Sequence, residues 1–219
     1  MTEINKSPDA ALLALLKTAP VVPLVQSNDP DEAVLISKAL LDGGLKVLEV
    51  VLRTDEAFDC LAKIVKEFPD VQVGAGTVLS ADHAKKALDC GAKFIVSPGL
   101  TEGVVNVSQS NNVPVLPGIS TATELQQAWN MGLRTVKLFP ASLSGGPKML
   151  KALSSVFRDV SFMPTGGVNA TNLPEYLSIP AVIACGGTWL TPKDQIAAGN
   201  FAAVTELAAT AREIAANVK

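Results

Sequence analysis

The chain has 219 residues, 48% of them hydrophobic, and a formal net charge of −3 with both signs spread along its length. That is apolar material enough for a full core, but no basic stripe that would neutralise a nucleic-acid backbone and no run near the ~20 apolar residues of a membrane span. One histidine and three cysteines far apart, Cys60, Cys90 and Cys185, cannot furnish a zinc site of the usual spacing and suggest no disulfide frame, so free thiols in a reducing, cytoplasmic setting are expected.

In chain order, MTEINKSPDA is polar, and the short ALLALL after it ends at Lys17 without a small-residue cleavage site. It reads as a helix, roughly Pro8 to Thr18, rather than a secretory leader. From Val21 onward short β-branched runs alternate with helical patterns: VVPLVQ, LKVLEVVLR, VQVGAGTV, KFIVSPG, VPVLPGIS, TVKLFP, SFMPTGG and AVIACGGTWL. Between them, DEAVLISKALLDGG, DEAFDCLAKIVKEF and ADHAKKALDCGA carry apolar residues at helical spacing, often with glycine just past the end. His83, in the third of these, is expected as an exposed helix residue.

The strand ends fall near Gln26, Arg53, Thr77, Pro98, Gly118, Phe139, Gly166 and Gly187, in steps of 20 to 27 residues. Each step is the length of one βα unit. Eight such units predict an α/β fold, a single (β/α)8 TIM barrel over residues 1–219, with residues 1–19 supplying an extra helix that caps the barrel floor. A doubly wound sheet is the second architecture, but VVPLVQSNDP lacks the glycine-rich fingerprint that would follow its first strand.

Residues two apart on a barrel strand share a direction. Leu45, Val47, Glu49, Val51 and Arg53 therefore form one face of the second strand, and Thr135, Lys137 and Phe139 one face of the sixth. Val136 and Leu138 suit packing under helices, so Lys137 is expected to point inward, near the carboxyl ends of the strands where active sites of this fold gather. An inward lysine among apolar neighbours and near another cation should be easily deprotonated, and a free amine attacks ketones. Glu49 is placed to move protons, and Arg53 offers a planar fork for a carboxylate. Taken singly, Glu49 and Arg53 read first as internal ion pairs with Lys137 or each other, a preference that three ionisable groups converging on one rim reverses, and Thr77 reads equally as a strand-end hydroxyl. PTGG (164–167) and CGGT (185–188) close strands seven and eight, where barrels often bind phosphate. SLSGGPK reads as a flexible loop entering a helix. A magnesium site of carboxylates and water stays open at this stage.

EVVLRT (49–54), VGAGTVL (73–79), SPGLTE (97–102), PGISTATE (117–124), KLFPA (137–141), PTGGV (164–168) and GGTWL (186–190) together resemble the class I 2-keto-3-deoxy-6-phosphogluconate (KDPG) aldolases, also called 4-hydroxy-2-oxoglutarate (KHG) aldolases. The resemblance runs from about Pro20 to Pro192. It implies a homotrimeric barrel enzyme without metal or cofactor that splits the phosphorylated 2-keto acid of the Entner–Doudoroff pathway into pyruvate and glyceraldehyde 3-phosphate, and KHG into pyruvate and glyoxylate. Carried over by motif, Lys137 is the imine-forming lysine and Glu49 the general acid/base, Arg53, Thr77, Phe139 and Thr165 contact substrate, and Gly166, Gly167, Gly187 and Thr188 hold phosphate. Thr188 stands where the family often has serine. Thr165 tilts the expectation toward the gluconate rather than the galactonate epimer. A phosphosugar isomerase or epimerase, or a phosphosugar-binding protein, are the competing classes on the same barrel.

Overall fold

The structure is a computed structural model and describes residues 8–218. Its elements are α1 (Pro8–Thr18), β1 (Val21–Val25), α2 (Pro30–Asp42), β2 (Val47–Val51), α3 (Glu56–Glu67), β3 (Gln72–Gly76), α4 (Ala81–Asp89), β4 (Ile95–Val96), α5 (Glu102–Ser110), β5 (Val115–Leu116), β6 (Gly118–Ile119), α6 (Ala122–Asn130), β7 (Thr135–Leu138), α7 (Gly146–Val156), β8 (Ser161–Phe162), α8 (Leu173–Leu177), β9 (Cys185–Gly187), α9 (Lys193–Ala197) and α10 (Phe201–Ala216).

All strand pairings are parallel. They run β5-β4-β3-β2-β1-β9 in one sheet and β6-β7-β8 in the other. The two sheets are one cylinder. β5 and β6 are halves of a single stave interrupted at Pro117, which has no N–H to give to a ladder. On the far side, Ile183 N–H donates to Phe162 O at 3.1 Å and Gly186 N–H to Pro164 O at 2.9 Å, with parallel bridges Phe162–Val182 and Thr165–Gly186. Nine segments thus make eight staves, a (β/α)8 barrel.

The seventh stave differs from the sequence reading. SFMPTGG is regular strand only over Ser161–Phe162. Met163 and Thr165 still donate to Val136 O and Leu138 O, but Pro164 has no N–H for the β9 side, where pairing is reduced to isolated bridges such as Thr165–Gly186.

Apolar residues separate into two layers, as the alternating faces require. Between strands and helices lies the larger cluster, with Leu48, Val50 and Leu52 of the second stave and Val136 and Leu138 of the sixth. Inside the cylinder lies a smaller one, with Val22, Val47, Phe94, Val96, Leu116, Met163 and Ile183, joined from below by Leu12 and Leu16 of α1. Leu45, grouped by sequence with the inward face, belongs to the outer layer; it precedes the strand, where the alternation has not begun. Gly74 makes room within: a Cβ there would overlap the Phe94 ring.

Local chemistry ends the helices. Asp29 caps α2 by accepting from Asp31 N–H and Glu32 N–H, Pro30 occupies the first turn, and Gly43 follows its last residue. Thr121 and Glu124 form a reciprocal capping box on α6. Hydrogen bonds from the Ser120 backbone, followed by those from Thr121 and the Ser120 hydroxyl, hold the Glu124 carboxyl below its ordinary 4.5. A lowered carboxyl pKa stabilises the fold fully above the unfolded value and ceases to do so as pH falls through the folded one. Thr121→Ala is expected to cost about 1 kcal/mol at neutral pH, read as a lower urea midpoint at unchanged slope, and the gap to wild type should narrow in acid below the Glu124 titration.

His83 departs from its expected exposure. It is half-buried, with its ring edge-on to Phe58 at 5.7 Å, and Lys86 lies 4.0 Å above the same Phe58 ring. Phe58 is itself buried in the outer core, so the α4 side chains that lie over it are partly covered. Among the described residues no disulfide joins the cysteines; Cys60 and Cys185 are buried and Cys90 half-buried. Desolvation and nearby acids push the Cys60 thiol up to about 11, which keeps it a poor nucleophile.

Candidate active site

Lys137 points into the cylinder and is 4% exposed; Glu49 on β2 is 1% exposed. Lys137 Nζ lies 3.4 Å from Glu49 Oε1, so lysine and carboxylate face each other across the interior. The charged neighbour of Lys137 is therefore Glu49, whereas Arg53 donates elsewhere. The Phe139 ring stands beside the amine, its centroid 5.0 Å from Nζ, and the next peptide, Phe139–Pro140, is cis.

The space around this pair is made by residues without side chains. A Cβ on Gly76 would overlap Glu49 Oε1, and one on Gly186 would overlap Thr165 Oγ1. Both lie on staves adjacent to the acid or the hydroxyl they accommodate. Thr165 is 3% exposed. Its Oγ1 and Glu49 Oε2 are both buried without a hydrogen-bond partner. Unpartnered polar atoms cost about 1–3 kcal/mol each, so an orphaned oxygen on the carboxylate that meets the buried lysine marks a place that tolerates the cost for chemistry.

At the rim, Thr77 has φ +62°, a left-handed conformation uncommon outside glycine. It immediately follows β3, on the same stave as Gly76. Gly166 and Gly167 have φ +97° and +80°, and a Cβ on Gly167 would overlap Ser142 Oγ, so this turn can be made only by small residues packed against the loop after β7. The Thr165–Gly186 bridge sets that turn next to the end of β9. Thr188 there is exposed, while the α-carbon of Gly187 is covered by the Trp189 ring.

Arg53 is exposed at the mouth just beyond β2, and its Nη1 donates to Gln26 Oε1 at 3.3 Å. A cavity of about 580 Å³ is lined by Gln26, Arg53, Thr188, Thr191 and Lys193, among others. Gln26, Thr191 and Lys193 escaped the sequence reading. For Gln26 the signal was present, since it is the polar residue that ends the run VVPLV. Among the described residues no cluster of three or more His, Cys, Asp or Glu could hold a metal ion, and no helix is long and apolar enough to cross a membrane.

A closed parallel barrel with a lysine and a carboxylate buried together at the carboxyl ends of its strands belongs to the class of (β/α)8 proteins fitted for carbonyl chemistry. The family model "KDPG and KHG aldolase" matches residues 12–207. The KHG/KDPG aldolase of Escherichia coli (strain K12) is 42% identical over 200 residues, 91% of this chain and 94% of that protein. The 2-dehydro-3-deoxy-phosphogluconate aldolase of Treponema pallidum is 44% identical over 192 residues, 88% of this chain and 91% of that one. The crystal structure of the Legionella pneumophila KDPG aldolase with pyruvate captured as a covalent carbinolamine superposes with a TM-score of 0.88 at 38% identity, covering 91% of this chain and 97% of that one. The chain belongs to the KDPG and KHG aldolase family.

Proposed function

We propose that this protein is a class I aldolase that reversibly cleaves 2-keto-3-deoxy-6-phosphogluconate to pyruvate and glyceraldehyde 3-phosphate, and 4-hydroxy-2-oxoglutarate to pyruvate and glyoxylate. The observation that carries the reading is the buried Lys137–Glu49 pair, 3.4 Å apart. Lys137 attacks C2 of the keto acid, and loss of water leaves a protonated imine. A base then takes the C4 hydroxyl proton, the C3–C4 bond breaks, and its electron pair flows into the imine to give an enamine and the free aldehyde. Protonation of the enamine carbon and hydrolysis release pyruvate and restore the amine. Glu49, within reach of Lys137, carries protons through these steps.

Arg53 and Thr77 hold the C1 carboxylate and keto-acid end, and Phe139 closes one side of the imine. Thr165 Oγ1, buried and unpartnered, meets the hydroxylated carbon and favours the gluconate over the galactonate epimer. The Gly166–Gly167 turn, Gly187 and Thr188 take the phosphate. The rest of the reading is one barrel domain floored by α1, assembled as a homotrimer and working in the cytoplasm. Pyruvate plus borohydride should add one stable reduced adduct, located at Lys137 by peptide mass. An unmodified Lys137 under these conditions, with no pyruvate released from the keto acid, would exclude the covalent route and leave proton-transfer chemistry, as in an isomerase, to account for the site.

A further inference from the structure

We propose that Lys193 is a specificity-determining residue that selects a doubly charged phosphate at the far end of the substrate, acting as a second cation at the barrel mouth beyond the glycine turns. The inference rests on the aldolase reading and names a preference within it.

The cavity of about 580 Å³ at the mouth has three charged side chains in its wall, Arg53, Glu32 and Lys193. A second, of about 290 Å³, shares Gln26, Arg53 and Lys193. Two of the three charges are already engaged. Gln26 Oε1 accepts from Arg53 Nη1 at 3.3 Å, and Ser27 Oγ donates to Glu32 Oε2 at 2.6 Å. Asp194, the chain neighbour of Lys193, accepts from the Gln195 amide at 2.9 Å. Among the described residues Lys193 has neither an ion pair nor a side-chain hydrogen bond.

The cavity therefore offers two cations to a ligand and one partly occupied acid. Arg53, a planar fork just beyond the strand that carries Glu49, suits the carboxylate. Lys193 shares a wall with Thr188, the hydroxyl assigned to the phosphate. A compact ammonium on a flexible stem is a point charge rather than a fork, so it favours two negative charges over one or none, and its pull weakens with salt.

The test uses the full chain and three keto acids that differ at the far end: 2-keto-3-deoxy-6-phosphogluconate, 4-hydroxy-2-oxoglutarate and the neutral-ended 2-keto-3-deoxygluconate. Lys193→Ala should lower the ratio of kcat/KM for the phosphorylated over the neutral-ended substrate by roughly fivefold, through KM, with a smaller fall for the singly charged one. Lys193→Glu should lower it further, Lys193→Arg should restore it, and raised salt should shrink the difference. A ratio unchanged in Lys193→Ala, or one that Lys193→Arg does not restore, overturns the proposal. A second readout does not depend on turnover: 3-phosphoglycerate should bind Lys193→Ala roughly fivefold more weakly than wild type by calorimetry, with glycerate unaffected. If wild type neither cleaves the keto acids nor traps pyruvate, the aldolase reading fails by itself, and the 3-phosphoglycerate titration still decides whether Lys193 selects phosphate.

Discussion

Lys137→Met is expected to lower keto-acid cleavage by about 10⁴-fold or more, because methionine fills a similar space but has no nitrogen to bond to C2. The same substitution also tests what the pair does for stability. Glu49, 1% exposed, would lose its partner, and breaking a buried pair from one side costs about 3–5 kcal/mol, or less if the orphaned carboxyl takes up a proton. Adding Glu49→Leu to Lys137→Met should recover much of that stability without recovering cleavage. Urea melts and a lactate dehydrogenase-coupled assay on the two variants separate the roles. Cleavage by Lys137→Met within tenfold of wild type would remove Lys137 from the chemistry.

Glu49→Gln isolates the second role. The amide keeps the shape, and its oxygen still accepts from Lys137 across 3.4 Å, yet it cannot pass a proton between solvent and substrate. Turnover should fall about 10²–10⁴-fold, and exchange of the pyruvate methyl protons with deuterated water, followed by NMR, should fall with it. Borohydride should still trap pyruvate on Lys137, only more slowly. Loss of trapping at long times would mean that Glu49 is needed to hold the amine in place, and turnover within tenfold of wild type would make it a counter-ion alone.

How much of this was legible in the sequence depended on the local rule involved. The stretch VLEVV is a strand of five residues, long enough for period-two alternation to fix its faces. Glu49 was placed inward on that ground, and Lys137 likewise from TVKL. The seventh stave resisted because proline at position 164 breaks the ladder inside a run that otherwise reads as strand, leaving two residues of regular pairing. Leu45 failed for a related reason, since alternation was extended past the first paired residue.

At the mouth, loop side chains from distant positions meet, as Arg53 and Gln26 do across 27 residues. No periodicity reports such a contact. The inward glycines were visible as letters but not as a purpose. Gly186 read as one of a phosphate-binding pair and Gly76 as one letter of a strand run, whereas the space they leave is filled by Thr165 Oγ1 and Glu49 Oε1. His83 showed the converse: a polar helical pattern does not reveal that an aromatic ring on the preceding helix will cover it.

The helix at the lower end, with Leu12 and Leu16 driven into the cylinder beneath Val47, Phe94 and Met163, gives the reactive tier an apolar base that neither donates nor accepts protons. Solvent exchange is thereby left to the rim, and a ligand lodged between Arg53 and Thr188 would slow hydration, exchange and release together without touching the lysine.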